Sequence, residues 1–116
     1  MQNFFFINDI EPKDLGGGVT RRVLAHNKDL MVCLLHFDKG AVGSLHHHPH
    51  TQCTFIKSGA FEFTIDGVTK VVRAGDTLYK QPEVVHGCVC LEEGELIDIF
   101  TPQREEFLSH GNKPLQ

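Results

Sequence analysis

No stretch of the 116 residues is apolar for long enough to cross a bilayer, which takes roughly 20 consecutive residues. The amino end also lacks the basic-then-apolar layout of a secretory signal. Together these absences predict a soluble, cytoplasmic protein with no membrane partner. Nor does one sign of charge dominate, because 11 basic residues against 15 acidic ones leave a formal net charge of -4. So thin a basic content excludes a broad phosphate-binding footprint, and no nucleic acid is expected as a partner. Four cysteines are few for a disulfide scaffold, and without a secretory signal they are expected as reduced thiols. Cys88 and Cys90 admit two readings, packing on one strand face or a share in a metal site. Repeats, linkers and low-complexity tracts are missing as well, so residues 1–116 read as a single domain. A chain of this length can bury roughly two-thirds of the surface it exposes when unfolded, enough for one core. Gly16, Gly17 and Gly18 do not lead into a helix, so they read as a turn and not as a phosphate cradle.

What the chain does have is apolar residues recurring with period two, as strands require. The clearest hairpin is FEFTIDGVTKVV, in which Phe61, Phe63 and Ile65 share a face and Asp66-Gly67 supply the turn. Further short runs fall at about 19–26, 30–38, 52–58, 76–80, 85–91 and 95–100, separated by Gly, Pro, Asp or Asn. Many short strands at this spacing predict an all-β barrel or double-sheet sandwich. Only the tail from Pro102 to about Ser109 reads as a short C-terminal helix, with proline in its first turn and Glu105 and Glu106 after it.

The stretch SLHHHPH then stands out, with histidine at 46, 47, 48 and 50. His46 and His48 are two apart, which on a strand turns both imidazoles to one side. Gln52 returns to that face after the turn at Pro49, and His86 is expected to approach from across the sandwich. Neutral imidazoles with an amide oxygen leave a cation's charge largely uncompensated and coordination positions open, so such a centre is a Lewis acid. The competing reading is an exposed histidine-rich loop that picks up metal adventitiously.

The stretch GAVGSLHHHPHTQCTFIKSG, residues 40–59, resembles the first cupin motif, and GDTLYKQPEVVHG, residues 75–87, resembles the second. The resemblance to cupins implies a small double-stranded β-helix, a jelly-roll relative. It also implies one divalent metal ion held by His46, His48, Gln52 and His86, of which nickel, zinc, iron, cobalt and manganese all suit the ligands. Gln52 stands where many cupins carry glutamate.

In ELIDIFTPQREEFL, Leu96, Asp98 and Phe100 share a face, which makes Asp98 a candidate cavity carboxylate, the alternative being an aspartate on a surface edge strand. Arg104 reads either as a solvated residue paired with Glu105 or Glu106, or as a grip on a substrate carboxylate near the cavity mouth. The block HHHPHTQ, the second motif, the pattern DIFTPQR and the opening segment are together similar to KdgF-type pectin-degradation cupins. That resemblance implies an enzyme opening cyclic 4,5-unsaturated uronates, the products of pectin or alginate lyases, to linear keto acids. It assigns Asp98 as proton shuttle, Arg104 as carboxylate grip and Phe100 as a wall of the sugar pocket. Strand parity adds Tyr79 and Gln81 as further substrate contacts. The expected partner is thus a small anionic sugar, and apolar residues on both faces of several strands point to a homodimer. A metal-dependent oxygenase and a non-catalytic sugar-binding cupin are the alternative functions.

Overall fold

The alternating pattern is realised as strands over most of the chain, in a computed structural model that describes residues 1–108. They are β1 (Lys13–Gly16), β2 (Val19–Asn27), β3 (Leu30–Phe37), β4 (Val42–His46), β5 (Thr51–Ile56), β6 (Ala60–Ile65), β7 (Val68–Arg73), β8 (Thr77–Lys80), β9 (His86–Glu92) and β10 (Gly94–Thr101). One sheet has the order β1-β2-β3-β10-β5-β8 and the other β4-β9-β6-β7, with antiparallel pairing throughout. Among the described residues the two sheets share no ladder, so the molecule is an open two-sheet sandwich and not a closed barrel. The Asp66-Gly67 turn joins β6 to β7, both residues having positive φ (50° and 77°), as the sequence predicts.

Side chains facing inward divide the interior into two ends. Along β10, Leu96, Asp98 and Phe100 all point inward, at 1%, 8% and 2% exposure. Around Leu96 the interior is apolar: Val19, Leu35, Phe37, Ile56, Phe61 and Cys90 pack there, and Phe37 meets Phe61 edge-to-face across the two sheets at 5.4 Å. Each such side chain, fully buried, contributes about 1.5–3 kcal/mol relative to exposure. Towards Phe100 the neighbours become polar, because Asp98 lies opposite Thr54 and Phe100 opposite Gln52 in the β10–β5 register, and Gln52 opposite Lys80 in the β5–β8 register. The apolar end anchors the sandwich, and the polar end is where a site is built.

Two expectations are corrected. The tail after Pro102 forms only a 3-10 turn at Glu105–Phe107, not a helix; Phe107 packs against the core, and the end of the expected helix at Ser109 lies outside the described residues. A segment this short gains too few hydrogen bonds to sustain an α-helix, and here packing sets its path. The sequence reading also omitted β1 and β4, although β4 carries His46. Outward-facing Phe55, Tyr79 and Ile99 leave an apolar patch on the larger sheet. Among the described residues no helix is long and apolar enough to cross a membrane.

Candidate functional site

The chain brings His46 and His86 together by direct pairing: β4 lies beside β9 in the same sheet and the two residues are register partners, with ring centroids 4.4 Å apart. His86 therefore comes from the neighbouring strand, not from across the sandwich. Between Gly43 and His46 the β4 register slips, so an extra residue bulges over Gly87. A Cβ on residue 87 would stand 2.7 Å from the Gly43 carbonyl oxygen, which is why glycine is needed at this crossing. His48 lies just beyond β4, and its ring is 5.7 Å from that of His46 and 5.0 Å from that of His86. Gln52 supplies the contribution from the opposite sheet, through β5.

The geometry suits a cation. One ring nitrogen from each of His46, His48 and His86 lies within 4.8 Å of the others. His46 Nδ1 and His86 Nδ1 bond the carbonyls of Ser44 and Val84, at 2.7 and 2.9 Å, which fixes both rings and turns Nε2 towards the cluster. Among the described residues His86 Nε2 is buried with no hydrogen-bond partner, as a ligand atom would be. His48 Nε2 stands 2.9 Å from Gln52 Oε1, close to the roughly 3 Å that separates two ligands at right angles on a cation about 2.1 Å from each. Burial holds all three imidazoles below their ordinary value, His86 at about 3 and His48 at about 4, the nearby Arg104 guanidinium adding to the effect on His48. At neutral pH they are uncharged and ready to bind metal without first losing a proton. The residues present thus fit a divalent ion.

The other histidines of the stretch take different places. His47 is exposed and bonds Glu83 at 2.8 Å, and His50 is half-buried with Nε2 donating to the Gln103 carbonyl at 3.2 Å. Cys88 and Cys90 are free thiols in the core, where burial raises the Cys88 thiol to about 11. Among the described residues neither belongs to a metal-holding cluster, so packing is the reading the structure supports for them.

A cavity of about 80 Å³ opens beside the histidines, and its walls include Gln52, Lys80, Asp98, Phe100 and Arg104. Asp98 is held by the Thr54 hydroxyl, which donates to Oδ1 at 2.6 Å. Arg104, 2% exposed, donates from Nε to Glu106 at 2.9 Å and sits 4.5 Å from the Phe107 ring centroid and 5.2 Å from that of Phe100. Its pairing with Glu106 matches one of the two readings of the sequence, yet it is buried in the cavity wall and not solvated.

Tyr79 and Gln81 are corrected. Tyr79 is 56% exposed on the outer face opposite Cys53, and Gln81 is exposed beyond the end of β8. The parity of β8 is one residue away from the expectation, and Lys80 takes the inward position at 2% exposure. Sequence reasoning missed Lys80 because a strand lysine is normally solvated. The available signal was its register opposite Gln52. Arg21 was also missed: its guanidinium lies 3.7 Å over Phe107 in the cavity wall, with Nε and Nη1 buried and, among the described residues, unpartnered.

Comparison with known proteins gives concordant results. Residues 33–100 match the cupin domain family Cupin_2. The pectin degradation protein KdgF of Dickeya dadantii (strain 3937) is 40% identical over 107 residues, covering 90% of this chain and 97% of that protein. Among solved structures, an RmlC-like cupin from Shewanella frigidimarina NCIMB 400 superposes with a TM-score of 0.89 and 44% identity, covering 92% of this chain and 96% of the other. KdgF from Halomonas sp. gives 0.88 and 34%, covering 92% and 99%. With both cupin motifs folded around one histidine cluster, and with relatives matched almost end to end, the chain belongs to the cupin family and stands among the relatives of KdgF.

Proposed function

We propose that this protein opens cyclic 4,5-unsaturated uronates to linear keto acids, with a divalent ion held by His46, His48, Gln52 and His86. One observation carries the reading: among the described residues the cavity beside the three imidazoles contains a single buried carboxylate, Asp98, with three buried basic side chains, Arg21, Lys80 and Arg104. A cavity lined with basic side chains and one carboxylate suits an anionic substrate that must exchange a proton. The kinship with KdgF proteins, whose name refers to pectin degradation, supports the same class of substrate.

In such a uronate the ring oxygen links the anomeric carbon to the carbon-carbon double bond, so the sugar is both a hemiacetal and an enol ether. Asp98 accepts the anomeric hydroxyl proton, the carbonyl forms at that carbon, and the ring bond breaks with its electrons left on the enolate. Asp98 then returns the proton to carbon 4, which gives the ketone. One proton moves from oxygen to carbon, and no oxidant is consumed. Proton transfer by a positioned group contributes about a hundred- to ten-thousand-fold. Arg104, set by Glu106 and the two aromatic rings, holds the substrate carboxylate, and Phe100 closes the pocket behind the sugar ring. A bound divalent ion supplies Lewis-acid stabilisation of oxygen charge beside these groups.

The test follows the ultraviolet absorbance of an unsaturated galacturonate, without oxygen and in deuterated water. Absorbance is expected to fall and one deuterium to appear at carbon 4. Turnover that requires oxygen would instead assign an oxygenase, and binding without turnover would assign a sugar-binding module.

A further inference from the structure

We infer that Lys80 and Thr54 are positioning residues that determine which oxygen of Asp98 handles the proton, an inference that rests on the reaction proposed above. Burial lowers the Lys80 pKa while the nearby Asp98 carboxylate raises it. In its ammonium form the side chain only donates hydrogen bonds, so the 2.8 Å contact from Lys80 Nζ makes Thr54 Oγ1 the acceptor. The Gln52 amide approaches the same oxygen at 3.5 Å, also as a donor. A hydroxyl has one proton and two lone pairs. With donors on the lone-pair side, the Thr54 proton is directed at Asp98 Oδ1, 2.6 Å away, within the range of a charge-assisted bond. Oδ1 is thereby committed as an acceptor and carries no proton of its own. Oδ2 has no hydrogen-bond partner among the described residues, and in this cavity-lining side chain it is the oxygen left to take the proton. The proton enters and leaves the carboxylate at Oδ2.

Packing does not account for the lysine. Lys80 is 2% exposed, its side chain bonds only Thr54 among the described residues, and the Phe63 ring centroid lies 4.6 Å from its Nζ. An apolar side chain of similar length would fill the same space without desolvating a charge. What the ammonium adds is direction: without it, the Thr54 hydroxyl is free to turn away from Asp98, and neither carboxylate oxygen is singled out. The role differs from that of Arg104, because Lys80 acts through Thr54 and its effect belongs in kcat, not KM.

The test uses Lys80→Met, Thr54→Val and Thr54→Ser, together with the first two in an Asp98→Asn background, each followed by turnover and by urea unfolding. Lys80→Met and Thr54→Val should lower kcat about ten- to a hundredfold, a part of what a positioned proton-transfer group supplies, with KM little changed. Thr54→Ser should restore most of the rate, and in Asp98→Asn neither change should lower the residual rate further. In unfolding, Lys80→Met and Asp98→Asn should be non-additive while Thr54 is present and additive once it is valine. Wild-type kcat in Thr54→Val, losses that multiply in Asp98→Asn, or a raised KM with unchanged kcat in Lys80→Met would each overturn the inference while leaving the reaction in place. A wild-type protein that leaves the uronate intact, with the unfolding coupling still present, would remove the reaction itself and this catalytic role with it.

Discussion

At the scale of single residues, the polar groups of the interior are those that packing alone would not select. Arg21 is 4% exposed, two of its guanidinium nitrogens have no acceptor among the described residues, and burial lowers its pKa. An unsatisfied buried polar group costs about 1–3 kcal/mol. Arg21→Met keeps the contact with Phe107 and removes that cost, so the ligand-free protein should become more stable by about that amount in urea unfolding. The same substitution should raise KM for the uronate, since the cavity loses one of its cations. A less stable variant with unchanged KM would show that Arg21 is only a prop for Phe107.

At the scale of the element, the site depends on where β4 crosses β9. Gly87→Ala places a methyl group against the Gly43 carbonyl and the Leu45 backbone, and backbone does not yield as a flexible side chain does. Overpacking of this kind costs about 1–3 kcal/mol. The account predicts that loss, together with weaker metal affinity in a calorimetric titration, because the displaced strand carries His46 away from His86. What the sequence made legible follows from the same elements. Strands with strict alternation, such as β6 and β10, could be read directly, and so could the gathering of His46, His48 and His86 into one cluster, from the spacing of the cupin motifs. The bulge in β4 could not, because the extra residue breaks the period of two on which the reading relies. For the same reason His86 was expected from the wrong direction. On β8, a four-residue strand, nothing in TLYK separates one parity from the other until the register with Gln52 is known. Lys80 was hidden and Tyr79 misplaced by that single step.

At the scale of the whole molecule, the histidine cluster is expected to tie stability to pH and, through the proposed metal, to a bound ion. His46, His48 and His86 lie below their ordinary value of 6.5, His48 at about 4 and His86 at about 3. As pH falls below about 6.5 the unfolded chain takes up protons before the folded one, which favours unfolding. The metal-free protein should therefore keep its full stability from this source above that pH and lose it progressively as pH falls towards 4 and 3. Urea midpoints measured between pH 8 and pH 4.5 check the sign, and a midpoint that rises on acidification would refute it. A ligand that binds only the folded state stabilises it, so restoring metal should raise the midpoint at neutral pH.

The most direct measurement returns a divalent ion stepwise to chelator-treated protein while uronate turnover and bound metal are followed together. The account predicts no turnover in the stripped protein, and a rate that climbs linearly and levels off at one ion per chain. Full turnover by protein shown to hold no metal, or a rate indifferent to the ion returned, would contradict it.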